Sequence, residues 1–181
     1  MKIERASIPD VLVIEPKVFG DARGFFYESY NRKTFARDTG LDVEFVQDNH
    51  SRSAKNVLRG LHYQLRQPQG KLIRVTAGEI WDVAVDLRRN SPAFGRWVGI
   101  TLDAAARRML WVPAGFAHGF VVLSEHAEVQ YKTTDYYAPE YERALLWNDP
   151  ALGISWPHQG EPVLSDKDRR GTPLAQAETF A

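Results

Sequence analysis

His62, in the run Leu58-Arg-Gly-Leu-His62, is the side chain best suited to moving a proton near neutral pH, because an imidazole ordinarily titrates at about 6.5. A lone histidine on a strand is more often a satisfied core residue than a catalyst, so its neighbours carry the argument. Arg59 stands three residues before it and Lys71 nine after. Charged strand residues are usually solvated, yet these alternate with polar and apolar residues on faces that a barrel would close over. Arg59 and His62 have opposite parity, so a regular strand sends them to opposite faces. A bulge at Gly60 would bring both inside, and a regular ladder from Leu58 to Tyr63 would exclude it. Tyr131 offers the complement. A phenol ordinarily near pKa 10 delivers a proton when a nearby cation eases its ionisation, and opposite an imidazole it completes an acid–base pair. Further on come Tyr136, Tyr137, Pro139 and Glu142. Tyr136 reads as strand packing, whereas Tyr137, before a proline-containing loop, is placed to stack on a flat ring.

Two other segments carry chemistry. In Phe19-Gly-Asp-Ala-Arg23-Gly-Phe-Phe-Tyr-Glu28, a turn and an aromatic strand account for Gly24 and Phe25 but not for Arg23 and Glu28 flanking the apolar run. An arginine fork suits a phosphate, and Glu28 can accept a hydrogen bond from a base or sugar. In Pro113-Ala-Gly-Phe-Ala-His118, proline and glycine make a tight turn and set His118 at the start of the next strand. This stretch resembles the second signature of the cupin superfamily, whose histidine is usually a metal ligand. The first signature should supply two histidines one residue apart and a nearby glutamate. Here Gln64 stands where the second histidine belongs, and no glutamate follows before Glu79. A catalytic metal generally needs three protein ligands, so the expectation is no metal.

The elements that must position these residues read as short strands. Trp81, Val83, Val85 and Leu87 share one face, and Asp82, Ala84 and Asp86 the other. Val43, Phe45, Gln47 and Asn49 alternate with Glu44, Val46 and Asp48, and Val129, Tyr131, Thr133 and Asp135 with Gln130, Lys132 and Thr134. Residues 31–38 form a candidate helix ended by Gly40, 104–108 a turn, and Ser165-Asp-Lys-Asp168 a capping box with Asp in the closing position. Gly and Pro punctuate the chain throughout. The spacing predicts an all-β, antiparallel jelly-roll barrel with a few short peripheral helices, as one domain over residues 1–181.

Composition narrows the function classes. Lys+Arg and Asp+Glu are 23 each, so the net charge is zero and any phosphate recognition must be local; no nucleic-acid partner is expected. There are no cysteines, which excludes thiolate catalysis. No run approaches the roughly 20 apolar residues of a membrane span, and no signal-peptide pattern opens the chain, so a cytoplasmic location is expected.

The motifs together resemble the dTDP-4-dehydrorhamnose 3,5-epimerases, metal-free cupins of the dTDP-rhamnose pathway. The resemblance runs from about Phe19 to Asp168. It is carried by Phe19 to Glu28, Gln47-Asp-Asn49, Leu58 to His62, Lys71-Leu-Ile-Arg74, Gly78-Glu-Ile-Trp-Asp-Val83, Trp111 to Phe120, Trp147-Asn-Asp-Pro150 and Leu164 to Asp168. It implies His62 as general base, Asp168 as the carboxylate orienting it, Tyr131 as general acid and Lys71 as the cation beside the keto oxygen. It implies further substrate contacts at Arg23, Glu28, Gln47, Asn49, Arg59, His118, Tyr137, Glu142 and Lys167. The diphosphate and sugar fall to Arg23 and Arg59, the nucleotide end to Glu28, Gln47 and Asn49, and the thymine to Tyr137. The Asp168 role conflicts with its reading as a helix cap, and the resemblance is given the greater weight. It also implies a homodimer and no cofactor.

The expected reaction is inversion at C3 and C5 of a dTDP-4-keto-sugar, whose protons are acidic because they flank the C4 ketone. Alternatives are a C3-only epimerase or a ketoisomerase, a jelly roll that binds a sugar nucleotide or glycan without turnover, and a metal-dependent cupin. Deuterium uptake at C3 and C5, the effect of His62→Ala on turnover against affinity, and metal analysis separate these.

Overall fold

A computed structural model describes every residue from Met1 to Ala181. The strands run in the order β1 (Lys2–Arg5), β2 (Leu12–Glu15), β3 (Val18–Asp21), β4 (Gly24–Tyr27), β5 (Gln47–Ala54), β6 (Leu58–Gln64) and β7 (Lys71–Ala77). They continue as β8 (Glu79–Asp86), β9 (Trp97–Asp103), β10 (Met109–Val112), β11 (Phe116–Val122), β12 (His126–Thr133) and β13 (Glu142–Ala144). Two helices are added, α1 (Arg32–Thr39) and the short α2 (Asp166–Arg169). One sheet has the order β1-β2-β10-β7-β12-β5, a second β13-β6-β11-β8-β9, and β3 pairs only with β4. Pairing between the named strands is antiparallel throughout. This is the antiparallel jelly-roll architecture, with few helices, that the punctuation of the sequence led one to expect.

Inward residues of both sheets, among them Ile73, Val75, Ile80, Ala84, Leu110, Phe120 and Val129, form the interior core. The outward face of the second sheet, including Leu58, Leu61, Val83, Val85 and Leu87, is covered by the chain from Leu145 to Ala177. The alternation read along β8 is therefore real: Val83 and Val85 face out while Ile80 and Ala84 face in. Helix α1 lies on the outward face of the first sheet, with Phe35 against Trp111. Its ends follow the sequence signals. The Asn31 side chain accepts from the Thr34 N–H, and Gly40 closes the helix in the left-handed region at φ 77°. Residues 104–106 form the expected turn, with the Asp103 carboxylate accepting from the N–H groups of Ala105 and Ala106.

Two local expectations need correction. The strand expected from Val43 begins only at Gln47. Val43 and Phe45 instead pack, partly buried, against the cluster beneath α1, with Phe45 edge-on to Trp111. Tyr136 packs on no strand; it is exposed in the loop after β12.

Candidate active site

Between the two sheets, beside the apolar core, opens a cavity of about 340 Å³. Its size suits a small-molecule ligand. Ten of the residues expected at a site line it: Gln47, Asn49, Arg59, His62, Lys71, His118, Tyr131, Tyr137, Glu142 and Lys167.

The parity problem on β6 is resolved by a bulge. His62 pairs with His118 and Arg59 with Phe120, so three steps along β6 match two along β11. Leu58 and Leu61 both turn to the outer cluster, and Arg59 and His62 both line the cavity. Only glycine fits here: Gly60 has φ 117°, and a Cβ on it would lie 2.5 Å from the Gly119 Cα. The Arg59 Nε–H donates to the Ser53 hydroxyl at 2.9 Å, which aims the guanidinium.

His62 stands on β6, and its Nε2 lies 2.5 Å from Asp168 Oδ1. Asp168 is buried, and its other oxygen accepts from the Ser165 hydroxyl at 2.8 Å, while its own N–H donates back to Ser165. The choice between helix cap and histidine partner was therefore a false one. Asp168 is the third residue of α2, capped by Ser165, and the cap fixes the carboxylate for His62. Burial raises its pKa, but hydrogen bonds from His62, Ser165 and the Gly60 N–H outweigh this, leaving it below the ordinary carboxylate value. With Nε2 held, Nδ1 is the nitrogen of His62 left without a partner.

Tyr131 comes from β12 in the opposite sheet, paired with Asn49 and Ile73. Burial raises its pKa, with Arg59 and Lys167 opposing and Glu142 adding to the rise. The phenol thus stays protonated in the resting site. Lys71, on β7, is buried, and its ammonium donates only to the His62 carbonyl at 3.3 Å. Burial pushes its pKa down to about 8, against the opposing pull of Asp82 and Glu142.

One end of the cavity is cross-tied. Glu142 accepts from the Tyr137 hydroxyl at 3.0 Å and pairs with the Lys167 ammonium at 2.9 Å. Gln47 accepts from the Tyr137 N–H and donates to Asn49. Gln64, at the position of a cupin ligand, is buried and spends its polar atoms on backbone: it donates to Gln67 and Tyr136 carbonyls and accepts from the Ala138 N–H. No group of three His, Cys, Asp or Glu side chains is arranged to hold a metal ion.

Arg23 and Glu28 are not brought to this cavity. Arg23 sits at the tip of the β3–β4 hairpin, its side chain 90% exposed and paired with Asp21. Glu28 accepts from Asn31. The hairpin also exposes Phe19, Phe25 and Phe26. His118 lies near the start of β11, as its third residue. Sequence reasoning missed Asp82 in this site, although its signal was present: a carboxylate in the inward parity of an apolar strand.

Fold and site define a cupin-type jelly roll whose cavity sets an imidazole–carboxylate pair on one wall and a phenol on the other. A family model described as dTDP-4-dehydrorhamnose 3,5-epimerase matches residues 5–176. The chain belongs to that family of isomerases. A dTDP-4-dehydrorhamnose 3,5-epimerase of Pseudomonas aeruginosa is 64% identical over 99% of this chain and 99% of its own. The crystal structure of dTDP-6-deoxy-D-glucose-3,5-epimerase from Legionella pneumophila, in complex with dTDP-4-keto-L-rhamnose, has a TM-score of 0.96 at 51% identity and covers 98% of this chain and 94% of its own. ChmJ, a 3'-monoepimerase from Streptomyces bikiniensis in complex with dTDP-quinovose, matches at TM-score 0.89 and 35% identity over 95% of this chain and 87% of its own.

Proposed function

We propose that this cavity converts dTDP-4-dehydro-6-deoxy-D-glucose to dTDP-4-dehydro-L-rhamnose, the epimerisation at C3 and C5 on the route to dTDP-L-rhamnose. The observation that carries the reading is the placement of His62, backed by Asp168, and Tyr131 on opposite sheets around one cavity. His62 takes the proton from a carbon beside the ketone, and the electron pair moves into an enolate whose oxygen faces Lys71. Tyr131 returns a proton to the opposite face, which inverts the centre. Asp168 holds the His62 ring and offsets the charge it gains. Lys71 acts where negative charge develops, which is where a fixed cation accelerates the step. Gln47, Asn49, Arg59, His118, Tyr137, Glu142 and Lys167 grip the nucleotide, diphosphate and sugar, so that remote binding aligns the reacting carbons.

Lys71, Tyr131 and His62 together favour turnover over simple binding, and 64% identity to a 3,5-epimerase against 35% to a 3'-monoepimerase favours inversion of both centres. The chain works as one domain in a homodimer, in which the exposed β3–β4 hairpin brings Arg23 and Glu28 to the cavity of a second copy. It acts in the cytoplasm, in keeping with a nucleotide-sugar substrate and with the lack of any helix long and apolar enough to cross a membrane. Incubation with substrate in heavy water is the direct test. Deuterium is expected at both C3 and C5; deuterium at C3 alone makes the protein a C3 epimerase, and none at either carbon ends the reading.

A further inference from the structure

Asp82 lies on β8, wholly buried, and has no part in the roles assigned above. Both of its carboxylate oxygens stand 2.9 Å from His118 Nε2. The cavity therefore holds a second histidine–aspartate pair besides His62 and Asp168. Since Nε2–H is committed to Asp82, Nδ1 is the nitrogen of His118 left for a ligand. Asp82 also heads the charges that favour the Lys71 ammonium. The groups around that ammonium are Glu142 on β13, Lys167 on α2, Arg59 and His62 on β6, His118 on β11 and Tyr131 on β12, all lining the same cavity. Of the carboxylates among these neighbours, Glu142 is already paired with Lys167, and Asp168 is held by His62 and Ser165. Asp82 is the remaining carboxylate, held by His118 and forming no ion pair with a lysine or arginine.

We propose that Asp82 is a positioning residue of the epimerase: it fixes His118 with Nδ1 toward the substrate and supplies the buried negative charge that keeps the Lys71 ammonium in place beside the enolate oxygen. The proposal rests on the reading of Lys71 given above. Removing the charge withdraws stabilisation from the Lys71 ammonium, lowers its pKa and leaves it neutral over more of the working pH range.

The test is the pH profile of kcat/KM for wild type and Asp82→Asn between pH 6 and 9.5. Wild type is expected to lose activity above pH 8, in line with a Lys71 pKa of about 8. In the variant the alkaline limb is expected to move down by about one pH unit, a loss of about fivefold at pH 8 that approaches tenfold at higher pH and shrinks as the pH is lowered. A merely structural role would lower the whole profile evenly, and that result, or an unmoved limb, overturns the assignment of Asp82. A wild-type profile with no alkaline limb overturns the Lys71 reading and the proposal with it. A second measurement needs no variant: nitrogen NMR of the wild-type His118 ring is expected to show the proton on Nε2 throughout the neutral range. A proton on Nδ1 alone overturns the proposal even if Asp82→Asn fails to fold.

Discussion

In the proposed mechanism Tyr131 and the His62–Asp168 pair divide one reaction into two proton transfers, so their removal should fail in different ways. Tyr131→Phe keeps the base and the cation. Proton abstraction then continues, and deuterium from heavy water still washes into substrate, while inversion falls by about 10²–10⁴ because no acid stands on the far face. Loss of exchange and inversion together would show that Tyr131 takes part in abstraction as well. Asp168→Asn leaves the imidazole in place but replaces its anion. An expected kcat loss of about 10²–10⁴ with little change in the affinity for dTDP separates orientation of the base from binding. At this scale the sequence was legible where a residue type is scarce on its strand. His62, Lys71 and Tyr131 stood out because proton donors and acceptors are expensive to bury without use. Asp168 was legible only through the family pattern, because its partner lies 106 positions away. The mistake there was to treat a local cap and a long-range partner as exclusive, when one carboxylate has two oxygens and serves both.

Gly60 and Gln64 show how an element is shaped to present such groups. The bulge at Gly60 was foreseeable from parity, since two residues three apart on a strand, Arg59 and His62, cannot otherwise share a face. Gly60→Ala forces a side chain into a left-handed backbone position and against Gly119. It should lower stability by about 1–3 kcal/mol in denaturant unfolding, and lower kcat further than that instability explains, because Arg59 and His62 move together. Gln64 was legible as a missing metal ligand but not as what replaced it. Its contacts are with backbone atoms of 67, 136 and 138, which no side-chain pattern encodes. It ties the loop that carries Tyr137. Gln64→Ala should therefore weaken binding of dTDP and raise KM several-fold with a smaller effect on kcat, measured by calorimetry and steady-state rates. An unchanged dTDP affinity would mean that the loop keeps its shape without this tie. The false start of β5 at Val43 has the same origin: alternation marks residues that bury one face, and Phe45 buries its ring against α1 without being in a strand.

For the whole molecule, the proposed homodimer gives one feature of the sequence pattern a place in a site shared between two chains. Arg23 and Glu28 belong to the motif set, yet they sit on a hairpin that pairs with no other strand and carries Phe19, Phe25 and Phe26 exposed. Isolated two-stranded hairpins are marginal in water, and clustered exposed aromatics mark a surface made to be covered. Sequence alone could not say this, because a motif records which residues are needed and not which copy supplies them. A mixing experiment decides it. Arg23→Ala damages the hairpin and leaves His62 intact, whereas His62→Ala removes the base and leaves the hairpin intact. Each homodimer is expected to be weak. If the hairpin serves its own chain, every mixed dimer carries one defect in each site and stays weak. If it serves the second copy, each mixed dimer holds one doubly damaged site and one whole site. Equal amounts that exchange freely should then recover about a quarter of wild-type activity, since half the dimers are mixed and each has one of its two sites restored. Recovery near zero after exchange has been verified would confine Arg23 to its own chain and remove the hairpin from the catalytic unit.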